Sequence, residues 1–129
     1  MRKLLKGITG VVLMAAVIET ASFAGTSYGK YNTVVGRFNG NGYSDYQTKV
    51  TAGADGYIKS ESVGGNYVVD VRMQSSAGNG AWLRDLDDGT KAYLPGTSNQ
   101  KKGCSVRAQF SNDWCTPVTV QVKGEWKSN

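Results

Sequence analysis

Period-two alternation constrains this chain more than any other feature. In the stretch 67–74, Tyr67, Val69, Val71 and Met73 fall on one face, and Val68, Asp70, Arg72 and Gln74 fall on the other. Successive side chains of an extended strand point to opposite faces, so the pattern predicts a strand with one apolar side. The stretch 104–110 repeats it, with Val106, Ala108 and Phe110 sharing the face of Cys104. The stretch 116–126 does so again, with Val118, Val120, Val122 and Trp126 inward and Thr119, Gln121 and Lys123 outward. No stretch beyond the leader sustains the 3.6-residue period of an amphipathic helix.

Turn residues separate these runs. Asn39-Gly40-Asn41-Gly42, Ala54-Asp55-Gly56, Gly64-Gly65-Asn66, Ala77-Gly78-Asn79-Gly80 and Pro95-Gly96 punctuate the chain. Asn and Gly tolerate the positive φ that tight turns need. Further strands are expected at 33–38, 46–51, 57–63, 81–86 and 90–94. Asp87-Asp88-Gly89 reads as a hairpin turn between the last two of these. The expected fold is all-β: a small antiparallel β-sandwich or barrel of about eight short strands. It occupies 33–129 as a single domain, behind a polar, flexible segment at 25–32.

The first 24 residues read as a cleaved signal helix. Arg2, Lys3 and Lys6 precede an apolar run from Gly7 to Ile18, and the small residues Ser22 and Ala24 suit cleavage between Ala24 and Gly25. The apolar run is about 12 residues, short of the roughly 20 that cross a bilayer. Membrane contact is expected only through this leader, and the working part is expected outside the cell or in a periplasm. Cleavage removes three of the 15 basic and one of the 10 acidic residues, which lowers the net charge from +5 to +3.

Export also bears on Cys104 and Cys115, the only cysteines. An oxidising compartment favours their pairing, so a disulfide is expected to staple the last two strands across their turn. Such a loop contributes about 3 kcal/mol in the chain-entropy account.

The chain contains no histidine. This removes the usual general base near neutral pH and excludes Ser-His-Asp and Cys-His nucleophile systems in their ordinary form. Beyond the leader the glutamates are Glu61 and Glu125, and most aspartates sit in turns. Asp85 to Gly89 lacks the ligand set and closing glutamate of a calcium loop. No phosphate-binding or dinucleotide glycine motif appears, so no metal or cofactor is expected.

Aromatic and basic residues are the remaining candidates. Trp82 shares a strand with Leu83, so one of the two faces out. Trp114, flanked by Asn112 and Asp113, is the best single candidate for an exposed contact, with packing against the disulfide as an equal alternative. Lys101, Lys102, Arg107, Lys123 and Lys127 bias the C-terminal third toward positive charge. Arg107 and Lys123 are expected on paired strands. This bias fits attraction to an anionic envelope surface, but a solubilising face explains it better, since +3 is a small charge; nucleic acid is not expected, because no strong basic cluster exists.

The run Val120-x-Val122-x-Gly124-x-Trp126, with Trp82 in Asn79-Gly80-Ala81-Trp82-Leu83, resembles small secreted bacterial β-sandwich proteins, including lactococcin-type bacteriocins. The resemblance implies a β-sandwich acting on a neighbouring cell's envelope without catalysis.

Three functions therefore compete. A non-enzymatic secreted protein that binds an envelope component or another protein predicts a flat, aromatic and basic sheet face. A secreted enzyme inhibitor predicts a protruding, disulfide-stapled turn at 111–114. A small Asp/Glu hydrolase predicts two carboxylates in one deep pocket.

Overall fold

The computed structural model describes residues 23–129, so the expected signal helix lies outside them except for its last two residues, Phe23 and Ala24. Eleven strands follow in order: β1 (Phe23–Ala24), β2 (Gly29–Val35), β3 (Asn41–Tyr43), β4 (Gln47–Thr48), β5 (Gly56–Val63), β6 (Val69–Ser75), β7 (Gly78–Asn79), β8 (Leu83–Leu86), β9 (Lys91–Leu94), β10 (Ser105–Asn112) and β11 (Val120–Lys127). The smaller sheet runs β2-β11-β5-β9. The larger is built on β10 and β6 in the order β1-β4-β10-β6-β7, with β3 also on β10 and β8 also on β6. All ladders in both sheets are antiparallel except the short β1–β4 pair. Neither sheet closes on itself, so the fold is a sandwich and not a barrel.

Alternation places the core where the sequence indicates. Val69, Val71 and Met73 of β6 share the inner side of the larger sheet with Val106, Ala108 and Phe110 of β10, Val71 opposite Phe110 and Met73 opposite Ala108. Tyr31, Val35, Ile58, Val63, Val120, Val122 and Trp126 line the inner side of the smaller one. Each buried Val, Ile, Phe or Met among them contributes about 1.5–3 kcal/mol by leaving water. Burial in β5 switches parity, from Ile58 and Ser60 to Val63. The pairing explains the switch: Lys123 faces Ser62 while Gly124 faces Ser60, so Glu61 is a one-residue bulge.

Gly124 has a steric reason. A Cβ there would sit 2.4 Å from the Lys59 carbonyl oxygen and 2.6 Å from the Tyr31 hydroxyl. The hydroxyl end of the Tyr31 ring reaches this position, and the ring centroid is 4.8 Å from that of Phe110 in the opposite sheet. Burial, with the nearby Glu61 charge, pushes its phenol pKa up to about 12 against a lowering influence of Ser60.

Several expectations are corrected. The segment 25–32 is not a free arm, because Gly29–Val35 is a strand and Tyr31 within it is core. Gly25 is also built in, donating to Thr48 O at 2.9 Å and accepting from Asn129 N at 2.8 Å. The described residues form eleven strands where about eight were expected, because brief edge pairings at 41–43, 47–48 and 78–79 carry too little alternation to read. The segment 87–90 turns, with Thr90 N donating to Asp87 O at 3.2 Å, but it joins no hairpin. β8 pairs with β6 and β9 with β5, so the turn passes from one sheet to the other.

The last two strands do not pair either. β10 belongs to the larger sheet and β11 to the smaller, and the connection 113–119 bridges them. Val118 is consequently exposed. The disulfide fails for the same reason, and both thiols are free. Cys104 precedes β10 and Cys115 follows it. Eight extended residues span about 26 Å, whereas bridged cysteines need Cα atoms within about 7 Å.

Candidate functional site

The outer face of the larger sheet carries the most developed constellation. Its residues are the polar half of the alternation in β6, β10 and β3, brought into rows by register. Arg107 faces Gln74, Gln109 lies between Arg72 and Tyr43, and Ser111 lies between Asp70 and Asn41. Side-chain bonds lock the rows. Arg107 Nε donates to Gln74 Oε1 at 2.6 Å, Arg72 Nε to Gln109 Oε1 at 2.7 Å, and Gln109 Nε2 to Asn41 Oδ1 at 3.0 Å.

Aromatic rings flank these guanidinium groups. The Arg107 guanidinium carbon is 3.8 Å from the Tyr43 centroid and 5.0 Å from that of Tyr46. The Arg72 group lies 4.4 Å from the Trp82 centroid, with that of Arg84 at 5.8 Å. Each contact contributes about 0.5–1 kcal/mol at an exposed site. A guanidinium fixed by an amide and a ring loses little further freedom when it meets an anionic ligand.

Next to Trp82 the face sinks into a depression of about 310 Å³, lined by Asn39, Asn41, Asp70, Trp82, Arg84 and Ser111. Asp70 is its buried anion. One carboxylate oxygen meets Arg84 Nη1 at 2.6 Å and the other accepts from Asp85 N at 3.1 Å. Asp85 holds a left-handed backbone, φ 60, where β8 slips register against β6. That irregularity turns the Asp85 N–H toward Asp70. Arg84 is thus compensated, while the Nε groups of Arg72 and Arg107 each donate to a neutral amide. The depression offers one aromatic wall opposite convergent amide, hydroxyl, carboxylate and guanidinium groups. Such walls and donors suit a saccharide ring, whose C–H face stacks and whose hydroxyls bond.

Of the residues singled out from sequence, Trp82 and Arg107 belong to this face, and Leu83 packs inward against the core. Lys123 lies on β11, on the outer face of the other sheet, and does not neighbour Arg107. Lys101 and Lys102 are exposed in the connection before β10. Trp114 protrudes at 79% exposure, but from an unstapled connection between sheets, not a hairpin tip. Arg72, Arg84, Asp70, Tyr43, Tyr46 and Gln109 were missed as site residues. The outward half of 67–74 was the available signal; the pairing that sets it beside β10 spans more than 30 positions and has no local trace.

The smaller sheet presents a second outer surface. Glu61 and Glu125 line one depression of about 410 Å³ together with Lys30, Lys59 and Lys91. Tyr28, Tyr57 and Tyr93 with Lys127 and Asn129 line a neighbouring one of about 380 Å³. Among the described residues, no three of the Cys, Asp and Glu side chains converge as a metal site would require. Asp87 and Asp88 serve the turn instead, accepting from Asp88 N at 2.7 Å and Val63 N at 2.6 Å.

Comparison of the chain with protein-family models, with curated proteins and with solved structures finds no match, so its function is argued from this geometry.

Proposed function

We propose that the protein is a secreted, non-enzymatic binding protein whose larger sheet holds an anionic saccharide of a cell envelope, in the manner of a bacteriocin-like or other envelope-directed domain. The observation that carries this reading is the ordered row of Arg107, Arg72 and Trp82 on one face. Rings supply stacking, amides supply bonds to hydroxyls, and two guanidinium groups supply the attraction for carboxylate or phosphate. The test is a titration of the chain from Gly25 onward with a soluble polyuronate and with a neutral glucan. Saturable binding of the polyuronate, weakened at least tenfold by Arg72→Ala or Trp82→Ala and by salt, is expected. Equal binding of both polymers, or none, sinks the reading.

A second reading has one observation behind it: Glu61 and Glu125 border the same depression. A retaining or inverting glycosidase needs two carboxylates flanking the scissile bond. New reducing ends from an envelope polysaccharide, abolished by Glu125→Gln, are the result this alternative requires. The depression is rimmed by lysines on an open sheet surface, and the binding reading has the more organised site.

A further inference from the structure

We infer that the ligand is presented at a bilayer, as an anionic glycolipid, and that the loop pair 36–40 and 113–119 docks into the lipid interface while the Trp82 depression takes the headgroup. This rests on the saccharide reading and adds the physical form of the ligand. The two features are contiguous: Asn39 lines the depression, and the neighbouring Phe38 points away from the core at 58% exposure. Trp114 at 79% and Val118 at 42% belong to the partner loop.

The loops are rigidly joined. Phe38 N donates to Thr116 O at 2.8 Å and Asn39 N to Asp113 O at 3.2 Å. The buried Asn112 amide donates to Gly36 O at 2.9 Å and Val35 O at 3.2 Å. Phe38 and Asn39 both hold left-handed backbones, φ 53 and 62. For a residue as bulky as phenylalanine that conformation is costly and persists only where its surroundings impose it. The fold therefore spends stability to display a phenyl ring to solvent.

Three features favour a lipid surface over a protein groove. The pair of loops links strands at the surface and leaves both Phe38 and Trp114 exposed. Several of its backbone N–H and C=O groups are bonded within the two loops, as a low-dielectric surround requires. Charge also complements an anionic interface: exposed Arg37 lies beside Phe38 and Arg72 stacks on Trp82 of the depression, while Arg84 and Asp70 neutralise each other and Asp113 is the one carboxylate of the loops. Tryptophan and phenylalanine beside arginine are the residues that settle at headgroup depth.

The experiment uses the chain from Gly25 onward with three probes. These are phosphatidylcholine vesicles, the same vesicles doped with a sulfated galactosyl lipid, and a soluble polyuronate. Wild type is expected to sediment with the doped vesicles only. Phe38→Gly with Trp114→Ser is expected to lose roughly tenfold or more of that binding while keeping polyuronate affinity. Trp82→Ala is expected to lose both. Phe38→Gly relieves the left-handed strain, so a folding defect does not explain its loss, and thermal unfolding verifies this. Undiminished vesicle binding by the loop variant overturns the inference, as does polyuronate binding without vesicle binding, or capture of an envelope protein through Trp114 with no lipid binding. Failure to bind the polyuronate at all removes the saccharide reading itself.

Discussion

The Arg72 guanidinium rests 4.4 Å from the centroid of the Trp82 indole while its Nε donates to Gln109. Trp82 and Arg72 are ten positions apart and meet because β8 folds back on β6. The ring covers one face of the cation and the amide fixes its plane, so the group is set before any ligand arrives. Trp82→Phe is expected to retain most polyuronate affinity. Trp82→Ala is expected to lose about 1.4 kcal/mol of it or more, at least a tenfold drop, as isothermal titration reads. Equal affinities for the two variants exclude a stacking role.

The separation of Cys104 and Cys115 by the length of β10 predicts two free thiols in the folded, oxidised-medium product. Exposed Cys115 is expected to react with a thiol reagent within the mixing time, and half-buried Cys104 more slowly. Cys104→Ser with Cys115→Ser should leave the melting temperature within a few degrees. A loss near the roughly 3 kcal/mol of a closed loop would instead reveal a bridge.

Tyr31 sets an alkaline limit. Its folded pKa is about 12 against 10.0 for the free phenol, so between these values the unfolded chain releases a proton that the folded chain keeps. Stability is intact below pH 10 and falls by about 2–3 kcal/mol as pH rises to 12. Denaturant midpoints across this window measure the slope, and Tyr31→Phe should flatten it.

Gly124→Ala brings a methyl group onto the Lys59 carbonyl and the Tyr31 hydroxyl. A cost of about 2–4 kcal/mol is expected, because backbone and a buried ring cannot both retreat. A variant as stable as wild type would mean that Tyr31 has another place to go.

Phe38→Gly should move stability the other way. Removing a bulky residue from φ 53 is expected to add about 1 kcal/mol in urea unfolding. Destabilisation would show that the exposed ring packs on the fold in solution.

What the sequence by itself determined follows from local physics. Alternation at 67–74, 104–110 and 116–126 marked Val69, Val71, Met73, Val106, Phe110, Val122 and Trp126 as core, because side-chain direction in a strand depends on parity alone. The same parity put Asp70, Arg72, Gln74 and Arg107 outside, so the polar halves of the candidate face were legible strand by strand. Their assembly was not. Whether β10 turns back on β11 or crosses to join β6 depends on which partners bury the inner face best, a non-local balance. That choice separated Cys104 from Cys115, put Arg107 and Lys123 on different sheets, and drew Gly29–Val35 into the smaller sheet. Only the tertiary structure decided that Arg72, Trp82 and Arg107 share one surface, because strand pairing is set by the whole core and not by the residues it brings together.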